Sequence, residues 1–213
     1  MIAHALHGLS NAAMNQGQYE EVTTLLDECL PLARETGEKW LEAMALNNLA
    51  EVARLQGDFE GAEQMYETGL RLLGELGDRY FTPIILDGLG TLAQYQDDYE
   101  RALKIHTQCL TLGREMGDKR IIALALEKLA GVAAGQGKAE RAARLLGAAE
   151  ALREAIYVPV EAIDREDYER FVAMTCAKLD EDVLADNWAK GRALGLEQAI
   201  TLALAGGKRT LEG

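Results

Sequence analysis

A motif that returns every 40 residues limits what this chain can fold into. Gln16-Gly17-Gln18-Tyr19-Glu20 is followed by Gln56-Gly57-Asp58-Phe59-Glu60, Gln96-Asp97-Asp98-Tyr99-Glu100 and Gln136-Gly137-Lys138-Ala139-Glu140, each 40 positions after the last. A second set, Gly37-Glu38-Lys39, Gly77-Asp78-Arg79 and Gly117-Asp118-Lys119, keeps the same step. Between these sets fall Leu46, Leu86 and Leu126, and then Leu49-Ala50, Leu89-Gly90 and Leu129-Ala130. Several sets in one register mark an internal repeat, and a period of this size belongs to stacked supersecondary units.

Each unit reads as two helices. Over Leu41–Leu55 the apolar residues Met44, Ala45, Leu46, Leu49, Ala50, Val52 and Ala53 form a wide stripe at helical spacing. Gln56-Gly57-Asp58 breaks it, with Gly57 free to turn left-handed and Asp58 placed to cap the next helix. Phe59, Ala62, Met65, Tyr66, Gly69, Leu70 and Leu73 then give a second stripe over Phe59–Leu76. One such pair cannot bury both of its faces, whereas stacked copies cover one another. Small residues recur where helices must approach: Ala50, Gly90 and Ala130 in first helices, Ala62, Ala102 and Ala142 in second helices.

The pattern resembles the tetratricopeptide repeat. Its motif positions correspond to Leu46, Leu49-Ala50, Ala53, Gly57, Phe59, Ala62 and Tyr66, then to Leu86, Leu89-Gly90, Ala93, Tyr99, Ala102 and His106. A further copy has Leu126, Leu129-Ala130, Ala133, Gly137, Ala142 and Leu146, and a degenerate first copy has Leu6, Leu9-Ser10, Ala13, Gly17, Tyr19, Val22 and Leu26. The usual period of the family is about 34, so the helices or links here are longer. The resemblance implies an all-α, right-handed superhelical solenoid of antiparallel helix pairs. Four repeats are expected at about 3–40, 41–80, 81–120 and 121–157.

Beyond residue 157, Val158-Pro159 interrupts the helical pattern. Asp164 and Asp180 are placed to cap helices near Arg165–Lys178 and Glu181–Leu194, with a third helix over Leu196–Ala205. These C-terminal capping helices, 158–205, would cover the last open face, with Phe171, Met174, Leu184 and Trp188 as the cover. Residues 206–213 read as a flexible tail. Arg141–Arg153 and the run from Trp188 to Leu194 resemble the last repeats of LuxR-type and AfsR-type bacterial transcriptional regulators and signal-transduction ATPases. That resemblance implies the sensor or interaction segment of a larger regulator.

Charge narrows the function further. A net charge of −13 repels a phosphate backbone, and only short basic groups such as Lys119-Arg120 and Lys208-Arg209 oppose it, so nucleic acid is not an expected partner. Three cysteines without a CxxC spacing, no apolar run of membrane-spanning length and no basic leader point to a cytoplasmic protein. Gly206-Gly207-Lys208-Arg209-Thr210 lacks the first glycine and the preceding strand of a phosphate loop. His4 and His7 share a helix face without a third metal ligand. With no nucleophile–base set either, neither catalysis nor a cofactor is expected.

Recognition is left to the concave face, which the resemblance assigns to the first helix of each pair. Asn47, Glu51, Arg54, Asp87, Thr91, Gln94, Tyr95 and Glu127 are the candidate partner-binding residues. Amides can bond an extended peptide backbone, and Arg and Tyr are common interface anchors. The expected partner is a protein, a peptide or another domain of the same regulator. A free-standing structural scaffold or a self-associating adaptor is the alternative. The clamp of lysines and asparagines that holds a terminal carboxylate in some relatives is not reproduced.

Overall fold

The computed structural model describes residues 1–207. They form eleven α-helices and no strand. Eight of these helices come as pairs: α1 (Ile2–Asn15) with α2 (Tyr19–Thr36), α3 (Lys39–Leu55) with α4 (Phe59–Leu76), α5 (Thr82–Tyr95) with α6 (Tyr99–Met116), and α7 (Lys119–Gly135) with α8 (Ala139–Ile156). A single 3-10 turn, Ala162–Asp164, leads into α9 (Arg165–Cys176), α10 (Glu181–Arg192) and α11 (Leu196–Leu204). Another, Ala205–Gly207, ends the described chain. The remainder of the expected tail, with Lys208 and Arg209, lies outside the described residues.

Local chemistry explains the helix ends. Asp58 accepts a hydrogen bond from the Gly61 amide at 3.0 Å and Asp98 from the Arg101 amide at 3.0 Å, each satisfying a donor that the first turn leaves open. Between first and second helices, Gly57 sits at φ 82°, a conformation open to glycine at little cost. Asp164 departs from expectation. No side-chain bond caps α9, and the Asp164 carboxylate lies 3.2 Å from the Lys128 ammonium instead. A full cation nearby outcompetes a backbone amide for a carboxylate.

By its contacts the chain divides into two compact units, Met1–Leu92 and Ala93–Gly213. In the first, Val22, Leu26, Leu41, Ala45, Ala62, Tyr66, Leu73 and Ile85 are fully buried. Ile85 fills the space above Gly69, where a Cβ would come 2.8 Å from its Cδ1. In the second unit, Leu110, Leu126, Ala130, Ala142, Leu145 and Leu146 are fully buried, and α8 carries α7 on one side and α10 on another. Each fully buried leucine contributes about 1.5–3 kcal/mol relative to exposure. Phe171 of α9 is buried in the same unit at 1% exposure.

Ala62, Ala102 and Ala142 are each at 0% exposure. Ala102 packs with Ala93 and Val132, and Tyr99 and Leu103 close over the group. Ala102→Leu should therefore overpack this site and cost about 1–3 kcal/mol in urea denaturation; an unchanged midpoint would place the helix contact elsewhere.

Candidate functional site

Residues 47, 87 and 127 occupy one repeat position, as do 51 and 91, and 54 and 94. The structure treats the copies differently. Within the first unit, Arg54 is 6% exposed and grips Glu51 through Nε at 3.1 Å and Nη2 at 2.9 Å. The Tyr66 hydroxyl donates to the other Glu51 oxygen at 2.5 Å. Burial, followed by the Glu51 charge, holds that phenol well above its ordinary pKa, so it stays a neutral donor.

Beside this cluster runs an amide ladder. Asn48 Nδ2 donates to Asn11 Oδ1 at 2.6 Å, joining α3 to α1, and Asn47 Nδ2 donates to Asn48 Oδ1 at 3.3 Å. At the buried end of the ladder, Asn47 Oδ1 has no hydrogen-bond partner among the described residues, and neither has Thr91 Oγ1. Asp87 is half-buried, and Ile84, on the same helix, is 43% exposed. Trp40 meets Phe81 edge-on with ring centroids 5.1 Å apart and His7 at 6.1 Å. This half of the candidate set thus joins amides, a buried ion pair and an aromatic edge. Met44, of the apolar stripe, is 6% exposed and belongs to the core.

The second unit uses its candidates internally. Tyr95 donates to Asp167 Oδ1 at 2.9 Å, and the Arg170 guanidinium lies over the Tyr95 ring, 4.3 Å from its centroid. Gln94, 2% exposed, reaches His106 Nε2 at 3.0 Å and the Lys128 carbonyl at 3.3 Å. Lys128 pairs with Asp167 at 3.3 Å. Glu127, 1% exposed, takes both Arg153 Nε at 2.5 Å and Nη2 at 2.8 Å. Burial pushes the Glu127 carboxyl up, and the Arg153 bonds pull against it. The partners of Tyr95 and Glu127 come from α9 and α8, whereas those of Gln94 come from α6 and α7.

Sequence reasoning missed Arg153, Asp164 and Asp167 as the residues that engage this face. A hint existed in Glu127-Lys128, two adjacent charges inside an otherwise apolar helix, which must find partners if buried. His4 pairs with Glu38 at 2.5 Å, and His7 faces Trp40. Among the described residues no three His, Cys, Asp or Glu side chains gather as a metal site. Cys29 and Cys109 are buried and Cys176 is exposed, all as free thiols. No helix among the described residues is long and apolar enough to cross a membrane.

Comparison with known proteins bears on the repeats themselves. Tetratricopeptide-repeat family models match residues 1–75 and 85–120. No curated protein matches the sequence. Among solved structures, the nearly identical TPR-like repeats of a candidate kinesin light chain from Podosopora anserina are similar, with a TM-score of 0.60 and 15% identity over 97% of each chain. At that identity the likeness concerns the fold.

Proposed function

The chain is a tetratricopeptide-repeat protein, of a kind that generally mediates protein–protein interaction, and we propose that it binds a protein or peptide partner without catalysis. The partner surface on the first unit is built from Asn47, Glu51, Arg54, Asp87 and Thr91. The observation that carries this reading is the amide ladder ending at Asn47 Oδ1, a buried acceptor without a bond. Leaving such a group unmade costs about 1–3 kcal/mol, and the N–H of an extended backbone is a suitable donor for it. Tyr95, Glu127 and Gln94 serve the partner only if their internal bonds break, because Asp167 of α9 holds Tyr95, Arg153 of α8 holds Glu127, and His106 with the Lys128 carbonyl holds Gln94.

The wider setting is the sensor or interaction segment of a bacterial signalling or transcriptional regulator, supported by the likeness of the Arg141–Arg153 and Trp188–Leu194 stretches to the end of such arrays. An ATPase or helix-turn-helix domain encoded in the same reading frame would agree with it; a gene holding the repeats alone favours the free-standing scaffold.

Partner binding has its own test. Once a partner is captured and purified, Asn47→Ala and Asp87→Ala should each weaken it by more than about 1 kcal/mol, a hot-spot cost. Glu67→Ala and Lys104→Ala, at exposed second-helix positions, should leave it unchanged. Loss of binding in the second pair alone would move the interface to the second helices.

A further inference from the structure

The 40-residue register places residues 37, 77, 117 and 157 at one position, just past the second helix of each pair. Gly37, Gly77 and Gly117 take it at φ 68°, 64° and 67°, but the fourth copy is Tyr157 at φ 57°. A left-handed turn costs an L side chain about 1–2 kcal/mol, and glycine would avoid that cost. The Tyr157 ring is also 93% exposed, so packing does not explain its presence.

Tyr157 stands at a cavity. Residues 157–160 and Tyr168 supply a mainly apolar lining to about 520 Å³ of space, and Glu127, Glu150, Arg153 and Glu154 supply its charges. The volume lies within the roughly 300–1,000 Å³ typical of small-ligand sites. We propose that this cavity binds a small organic cation, an amine or guanidine carried on an apolar or aromatic body.

Charge and bonding select that class. Three carboxylates line the space against one guanidinium, and Arg192, which bonds Glu150 and Glu154 from outside the lining, still leaves one negative charge in excess. The Glu127 carboxylate is spent on Arg153, and Arg153 also donates to the Pro159 carbonyl at 3.1 Å. Glu150 is different. Its Oε2 accepts both from Trp188 Nε1, at 2.7 Å, and from Arg192, while its Oε1 accepts no hydrogen bond among the described residues. The Tyr168 hydroxyl makes no hydrogen bond among the described residues. Burial and then the Glu127 and Glu150 charges push its pKa up to about 12, so it remains a neutral group able to accept from an ammonium. The Tyr157 face adds a cation–π surface. An anion would meet only repulsion, because the one guanidinium inside is already committed.

The test uses the full chain and three probes of one size: 4-phenylbutylamine, 4-phenylbutanol and 4-phenylbutyrate, titrated by calorimetry at low salt. The amine should bind at micromolar to millimolar concentration, with the carboxylate weaker by about tenfold or more, equivalent to about 1.4 kcal/mol. A photoreactive benzophenone amine should label the tryptic peptide 154–165. Val160→Trp, which fills the space, should abolish amine binding with helicity and melting temperature unchanged. Equal binding of amine and carboxylate, no heat with the amine at millimolar concentration, or labelling confined to peptides that do not line the cavity would each overturn the proposal. The last of these would show only diffuse attraction to a protein of net charge −13.

Discussion

Gly191→Ala is expected to lever α10 off α8 and cost about 3 kcal/mol, the upper end of what overpacking does. At Gly191 a Cβ would overlap the backbone of Arg144, and at Gly147 a Cβ would overlap the Trp188 carbonyl. Two glycines therefore face each other where the helices cross, and the atoms they would strike are main chain, which cannot swing away as a side chain can. Separation would also break three anchors: Arg144 to Asn187 at 2.7 Å, Trp188 to Glu150 at 2.7 Å, and the Arg192 pairs with Glu150 and Glu154. Urea denaturation would read the loss, and limited proteolysis should begin to cut within 177–207. Gly74→Ala is the control. Nothing lies within 4 Å of a Cβ there, so a helical alanine should stabilise by about 0.5–1 kcal/mol. If both variants behave alike, α8 and α10 do not meet through these glycines.

The second large effect concerns Glu127. Glu127→Ala should destabilise by about 3–5 kcal/mol, because it strands a buried guanidinium. Arg153 is 8% exposed, and its remaining described bond is to the Pro159 carbonyl. Replacing both partners, as in Glu127→Leu with Arg153→Met, should recover most of the loss, since a buried ion pair and an apolar pair of similar volume are often close in stability. A thermodynamic cycle over the single and double variants measures the coupling. Single variants within about 0.5 kcal/mol of the parent, the range of ordinary surface changes, would mean that water reaches this pair.

The candidate site was legible in unequal parts. Glu51, Arg54 and Asn47 were named because they are polar residues within a helix whose apolar stripe is clear. The same rule named Gln94, Tyr95 and Glu127, but it could not say what they touch. Tyr95 meets Asp167, 72 residues away, and Glu127 meets Arg153, 26 residues away. Asp164 was read as a helix cap from its neighbours alone, and the Lys128 ammonium that claims it is not a neighbour in sequence.

Helix pairing, turn placement and the small residues at crossings were determined by the sequence itself. They follow from periodicity over a few turns, from aspartates at helix starts and from glycines at left-handed positions, all interactions within one 40-residue unit that repeat with it. Where the copies diverge, tertiary structure decided. Asn47, Asp87 and Glu127 occupy one repeat position, yet the first ends an amide ladder, the second is half-buried on α5 and the third is locked to Arg153. The physical reason is that a polar side chain takes whichever partner the fold brings within about 3 Å, and no local pattern encodes which distant segment that will be.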